Sequence, residues 1–313
     1  MKKNDTVSII IAAWNSYPYI KLCIESIIKY THHPYELVVV DNGSTDKTKA
    51  YLRDLKGITL IENKKNLGNP KAVNQAAKRI KSKYFMLLDS DTVVSSSWLS
   101  DLVAVMKSER KIGQLTCNSN TIIDEEKEFQ GVSFASWTKF EEKNMSRSPL
   151  SIFNKYYKDY DNFVGKVNRK FQGVIEIREC PPWFLGGWCV LMPTALIDRI
   201  GGFVYDEKFK YAYYEDVDLS WRIGVAGLKL AVARNVFVHH FINSTTVKLP
   251  KKPQEYAGVN RDIFMEKWEK HILTQLRKKS GGEKEKLKDY IESDYILTHF
   301  LKWYGAKSIM QDW

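Results

Sequence analysis

The chain has 313 residues, of which 44% are hydrophobic and 27% charged, with a formal net charge of +11. This composition excludes a disordered polymer and fits one large domain, or one domain with an appendage. The positive charge suits phosphorylated small molecules or an anionic membrane surface. No arginine-rich arm, zinc spacing or RNA-binding aromatic signature accompanies it, so no nucleic-acid partner is expected.

The run VSIIIAA at 7–13 reads as a strand buried on both faces rather than as the start of a signal peptide, because its apolar stretch is short and runs into Trp14 and Asn15. Pro18 opens a helix whose Ile20, Ile24, Ile27 and Ile28 share a face. ELVVV at 36–40 is a second strand. The DNGSTD turn leads into a helix over 46–55, ITLI at 58–61 is a third strand, NLGNP is a loop, and Pro70 opens a helix to Ile80. YFMLL at 84–88 is a fourth strand, and a helix starts near Ser96. This βαβαβαβ order predicts a parallel, doubly wound sheet with ligands beyond the carboxyl ends of its strands. Residues 119–180 read as an insertion of loops and short helices. After it come WFLGGWCVLM, a helix near 194–200, a helix with its acidic end first in YYEDVDLSWRIGVAG, and a strand ending in two histidines. From Lys248 the chain is lysine-rich with a helical pattern.

The four cysteines, Cys23, Cys117, Cys180 and Cys189, have no metal-ligand spacing, which favours reduced thiols and a cytoplasmic location. The longest uncharged stretch, 183–197, is too short and too interrupted by glycine to span a bilayer.

The strand ends carry the chemistry. Asp89 and Asp91, two residues apart in an extended segment, direct both carboxylates to one side. Such a pair repels unless a cation joins it, and a hard ion such as Mg2+ or Mn2+ would leave positions for phosphate oxygens. A helix cap is the plainer reading of the same residues. Asp41 ends the second strand, where an acid meets a ribose or base in doubly wound folds. Lys71 sits at a helix start, where it would meet a phosphate. Glu215 and Asp216 form a second acidic pair, suited to a helix cap or to a general base. Arg222 would pair with those acids or with a phosphate. His239 and His240 point to opposite sides of a strand, so one of them at most joins a metal. Gly186 and Gly187 allow a ligand close to the backbone, and Trp183 and Trp188 offer faces for a sugar.

Taken together, VSIIIAAWN, VVVDNGSTD, NLGNPKAVNQA, LLDSD, FLGGWCVLM and YEDVDLSWR resemble, in order and spacing, the family 2 glycosyltransferases of the GT-A fold. The resemblance covers residues 1–247. It implies an α/β fold with a mostly parallel, doubly wound sheet: a Rossmann-like nucleotide half at about 1–118 and an acceptor half at about 119–247. Residues 248–313 form a basic, mainly helical extension, compatible with peripheral contact at the inner face of a membrane. The implied chemistry is inverting transfer from a nucleoside-diphosphate sugar, UDP-sugar favoured, to the hydroxyl of a glycan, lipid-linked or protein acceptor. Mn2+ or Mg2+ would be the cofactor, and bacterial polysaccharide or glycoconjugate synthesis the setting.

Carried over to this chain, the resemblance puts the base of the nucleotide on Asp41 beside Ala12, Trp14 and Asn15. Asn66, Gly68, Lys71 and Arg222 would lie near the donor. Asp89, Ser90 and Asp91 would hold metal and diphosphate, with His239 or His240 closing the metal site. Asp216 would be the general base, with Glu215 in reserve. Gly186, Gly187, Trp183 and Trp188 would face the acceptor. Asn42 stands where the family often has a second aspartate and Val73 where it often has arginine; the 119–180 insertion matches no part of the pattern. A non-catalytic nucleotide-sugar binder, or a sugar nucleotidyltransferase, would share much of this sequence.

Overall fold

The computed structural model describes residues 6–120, 134–144, 146–178, 180, 183–242 and 248–281. The first half alternates as its sequence predicts: β1 (Val7–Ala13), α1 (Tyr17–Tyr30), β2 (Tyr35–Asp41), α2 (Thr48–Asp54), β3 (Ile58–Glu62), α3 (Asn69–Ala77) and β4 (Tyr84–Leu88). β1 pairs in parallel with β2 and β4, and β2 with β3. A strand covered on both faces is apolar along most of its length, and β1 is, apart from Ser8, whose hydroxyl is bonded to Glu36 and Ser82. Its Val7, Ile9, Ile11 and Ala13 join one core cluster with Ile20, Cys23, Ile24 and Ile27 of α1. Ile10 joins the opposite cluster with Ala72, Val73 and Ala76 of α3. Tyr84, Met86 and Leu88 of β4 divide from Phe85 and Leu87 in the same way.

The second half departs from a uniform parallel wind. After β5 (Thr92–Val93) and α4 (Trp98–Ser108) come β6 (Ile112–Asn118), α5 (Phe134–Glu142), α6 (Pro149–Tyr157), α7 (Tyr160–Lys170), β7 (Ile175–Arg178) and β8 (Cys189–Pro193). Then follow α8 (Leu196–Arg199), α9 (Glu215–Val225), β9 (Lys229–Phe237), β10 (His239–His240) and α10 (Pro253–Ser280). The main sheet runs β3-β2-β1-β4-β8-β6-β9-β7. β8 is antiparallel to both β4 and β6, and β7 is antiparallel to β9. Because β8 runs against β4, its first residue, Cys189, faces Leu88 at the end of β4. The turn before β8 therefore opens at the ligand-binding edge of the sheet.

The middle segment is more than loops. Trp137, Ile152, Phe153, Tyr157 and Tyr160 of α5–α7 pack around Phe237 and Phe241, forming a third core cluster. Residues 121–133 of the expected insertion lie outside the described residues.

The basic extension begins as a packed helix. Phe264 of α10 is fully buried, 5.0 Å from Trp221 and 5.8 Å from Tyr214 between ring centres. Trp268 Nε1 donates to Asp218 Oδ1 at 2.9 Å, and Lys267 Nζ reaches the same oxygen at 2.8 Å. No helix among the described residues is long and apolar enough to cross a membrane. Of the extension 248–313, from which membrane contact was expected, residues 282–313 lie outside the described residues.

If α10 is part of the core, Phe264→Ala costs about 3–5 kcal/mol and lowers the melting temperature by several degrees. Val259→Ala on the exposed side of the same helix leaves it unchanged within error. Equal melting temperatures for both variants would show that α10 is dispensable to the fold.

Candidate active site

The ends of β1 and β2 make a polar corner. Asp41 is fully buried; its Oδ1 accepts from Ser44 N at 3.0 Å, and its Oδ2 has no hydrogen-bond partner. A buried carboxylate oxygen without a partner is costly, which leaves this atom able to accept a donor from outside the chain. Asn15, in left-handed backbone at φ 47°, closes the corner: its Oδ1 accepts from Thr45 N at 2.8 Å. Ala12 and Trp14 are half-buried beside it. Asn42 has a different task. Its Oδ1 accepts from Asn63 Nδ2 and Leu67 N, and its Nδ2 donates to Asn66 Oδ1 and Gly68 O. An aspartate there would lose both donations, so the departure from the family pattern serves the 63–68 loop. Asn66 is held in that network and also accepts from Gly68 N at 2.8 Å. Lys71 is exposed on the first turn of α3.

At the end of β4, Ser90 and Asp91 are buried and Asp89 is partly open. β10 pairs antiparallel with β5, setting His240 against Thr92. His240 Nε2 then lies 3.2 Å from Asp91 Oδ1 and 3.6 Å from Asp89 Oδ2. One ligand atom from each of Asp89, Asp91 and His240 falls within 4.8 Å of the others. Two carboxylate oxygens and one imidazole nitrogen form a donor set suited to Mn2+ or Mg2+. Burial and the neighbouring Asp91 push Asp89 up to about 6. Burial pulls His240 down, but Asp91 and Asp89 outweigh it and leave it raised. A cation at the centre would reverse both tendencies.

His239 takes no part in this cluster. It is fully buried, its Nδ1 sits 2.9 Å from Tyr157 Oη, and its ring packs on Trp137 at 4.3 Å. Burial, then His240, holds it well below the usual imidazole range. The sequence left either histidine open as a ligand; the geometry selects His240.

The second acidic pair begins α9. Glu215 is buried, accepts from Asn69 Nδ2 at 3.3 Å through Oε1, and rises to about 8 from burial and then Asp216. Asp216 is less enclosed; burial raises it, opposed by hydrogen bonds from backbone N–H groups, among them Gly187. A Cβ on Gly186 would stand 3.8 Å from Asp216 Oδ2, and one on Gly187 would collide with Tyr205 Oη at 2.1 Å. Trp188, next in the chain, accepts from Asp89 N through its carbonyl at 2.8 Å and stacks on His240 at 5.3 Å with 15° between planes. The turn at 186–188 therefore touches Asp216 on one side and the Asp89–His240 cluster on the other.

Two expected site residues have partners within the fold. Arg222 is bound to Asp218 Oδ2 at 2.8 Å and donates to the carbonyls of Ile200, Phe203 and Val204. Its guanidinium is used up in the fold, which corrects its assignment to the donor. Trp183 lies under the Arg178 guanidinium at 4.0 Å, beside the edge strand β7. Two contributors had no recognised signal in the sequence: Asn69, which holds Glu215, and Tyr205, which fills the space that Gly187 leaves.

Comparisons with known proteins bear on the family and the fold. The chain is similar to an uncharacterized glycosyltransferase of Haemophilus influenzae, with 32% identity over 130 residues, which is 40% of each chain. It is also similar to an N-acetylglucosaminyl-diphospho-decaprenol L-rhamnosyltransferase of Mycobacterium tuberculosis, with 24% identity over 269 residues covering 77% of this chain and 78% of the relative. Several curated relatives are matched over 40% of their length or less. Among solved structures, Staphylococcus aureus TarS 1–349 in complex with UDP-GlcNAc superposes with a TM-score of 0.53 at 17% identity, covering 95% of this chain and 71% of that one. The profile of glycosyl transferase family 2 matches residues 8–167, taking in Asp41, Asp89 and Asp91 though not α9 or β10. With just over half the chain inside that profile, the chain belongs to glycosyl transferase family 2.

Proposed function

We propose that this protein transfers a sugar, with inversion, from a nucleoside-diphosphate sugar to an acceptor hydroxyl in bacterial polysaccharide or glycoconjugate synthesis. The observation that carries the reading is the shared turn at 186–188, which joins the α9 acid to the Asp89–Asp91–His240 cluster in one cleft. A binder without turnover would need no carboxylate on the acceptor side of such a cluster. A UDP-sugar is the favoured donor, and a lipid-linked hydroxyl at the inner, anionic face of a membrane is the acceptor that best suits a net charge of +11.

The roles follow from the environments. Asp41 Oδ2 accepts a hydrogen bond from the nucleotide base, replacing the partner it otherwise lacks. Asp89, Asp91 and His240 would hold a divalent cation, which supplies positive charge to the leaving nucleoside diphosphate. Asp216 takes the proton of the acceptor hydroxyl, a step worth roughly 10²–10⁴ in rate. Two adjacent carboxylates divide their tasks when their surroundings separate them. Glu215, raised to about 8, is protonated at neutral pH and supports the start of α9 through Asn69. Asp216, held by backbone N–H groups, is the one of the two fitted to act as a base.

Three outcomes test these roles. Asp91→Asn is expected to cut release of nucleoside diphosphate at least ~100-fold without lowering the melting temperature, and chelation should do the same to the native protein. Full turnover in that variant would remove the metal from the reading. Asp216→Asn should lose roughly 10²–10⁴ in transfer while calorimetry still records donor binding; unimpaired transfer would dismiss it as the base. The Glu215 carboxyl favours its protonated form in the folded state, so the native protein loses stability as pH rises from the ordinary range of a glutamate towards about 8. Glu215→Gln lacks that loss, so its advantage in melting temperature should be larger at pH 8 than at pH 5; the opposite trend would mean Glu215 is charged in the fold.

A further inference from the structure

The segment leading into α9 is held from two sides. Tyr211, Tyr213 and Tyr214 all have left-handed backbone, with φ of 60°, 79° and 71°, a conformation side-chain-bearing residues rarely adopt. On the donor side the segment meets the loop before α3: Asn69 N donates to Tyr211 O at 2.7 Å, and a Cβ on Gly68 would come within 2.9 Å of Tyr211 N. On the far side it meets Asn260 of α10, whose side chain is fully buried. Asn260 Nδ2 donates to the carbonyls of Lys210, Ala212 and Tyr213 at 2.9, 2.8 and 3.0 Å, and its Oδ1 accepts from Lys210 N at 2.8 Å. One amide thus serves four backbone groups of a segment that ends two residues before Asp216.

We infer that Asn260 is a positioning residue for the transfer reaction: through the 210–214 loop it fixes where Asp216 stands relative to the donor. Its chemistry is specific. An aspartate would set negative charge against three carbonyls, alanine would remove the acceptor of Lys210 N and the shared donor of the Ala212 and Tyr213 carbonyls, and glutamine would displace the amide by a methylene. Among the described residues the Asn260 side chain bonds to the loop alone, so the corner around Asp41 and the cluster around Asp91 do not depend on it directly. Loss of Asn260 therefore separates the acceptor step from donor binding. A base displaced by about 1 Å costs on the order of 10²-fold in rate.

The inference rests on Asp216 as the base, and Asp216→Asn tests that reading separately. Asn260→Ala should lower kcat by roughly 10–100-fold, while the donor KM and the dissociation constant for nucleoside diphosphate with Mn2+ change less than about twofold. Leu102→Ala, a fully buried position in α4, supplies the comparison: it should lower the melting temperature at least as much and leave kcat intact well below that temperature. If the alanine variant does not accumulate, Asn260→Ser is measured against the same split. An unchanged kcat, or a loss of kcat matched by an equal loss of donor binding, overturns the inference. If Asp216→Asn transfers sugar normally while Asn260→Ala shows the split, the base assignment fails and the loop's role in the acceptor step stands.

Discussion

The structure turns on the repulsion between Asp89 and Asp91 at the end of a buried strand. Burial and then the neighbouring Asp91 carboxylate disfavour the charge of Asp89, which is raised to about 6. The fold adds an imidazole: the two-residue pairing of β10 with β5 exists at the point that carries His240 to Asp91. The strand ends, the buried Ser90 and the half-covered Trp188 all surround this one electrostatic demand for a cation. Stability alone would favour an apolar end to β4; the acidic end is an expense that binding makes good.

The antiparallel β8 makes that cluster useful. A further parallel strand beside β4 would start at the opposite edge of the sheet. Running the other way, β8 begins where β4 ends, and the residues just before it, 186–188, form the wall between metal cluster and acid. Gly187 is required there by Tyr205 Oη, and Gly186 leaves open the approach to Asp216. The same turn donates a backbone N–H to Asp216, favouring its charged form, while Glu215 one residue away is enclosed and favours its neutral form.

Much of this was legible in the sequence where the cause was local. β1, β2 and β4 announce themselves as apolar runs; β2 ends in Asp41, β4 is followed at once by Asp89, and β1 by Trp14 and Asn15. The order of Asp41, Asp89, Asp91, Glu215 and Asp216 was readable for the same reason. The choice of His240 over His239 was not. Alternation says the two face opposite ways, but which way depends on the register shift where β6 meets β9 and on the pairing with β5. β6 carries buried Gln114, Thr116 and Asn118, which hide its strand character, and β7 is a four-residue edge with half-exposed positions. Arg222 lies four residues after Asp218, a helical spacing that already favours an internal ion pair; the phosphate alternative rested on guanidinium chemistry alone. The tasks of Asn260 and Phe264 arise wholly from long-range packing, and no neighbouring residues mark them.

The energetics of the loop before α9 show why one helix serves both fold and chemistry. Left-handed backbone costs a non-glycine residue roughly 1–2 kcal/mol, so three tyrosines in that state strain the loop by several kcal/mol. Each net hydrogen bond from Asn260 returns only about 1 kcal/mol, which leaves little margin. Ring packing supplies the remainder: Tyr211 lies 4.8 Å from Tyr256 and Tyr214 5.8 Å from Phe264, both partners on α10. The two contributions are different in kind. Ring contacts are tolerant of small shifts and set whether the loop stays folded. The Asn260 amide is directional and sets where the loop stands. A strained approach to Asp216 thus depends on a helix that the family profile does not reach, and which the sequence showed as a basic, mainly helical extension with no mark of its packing.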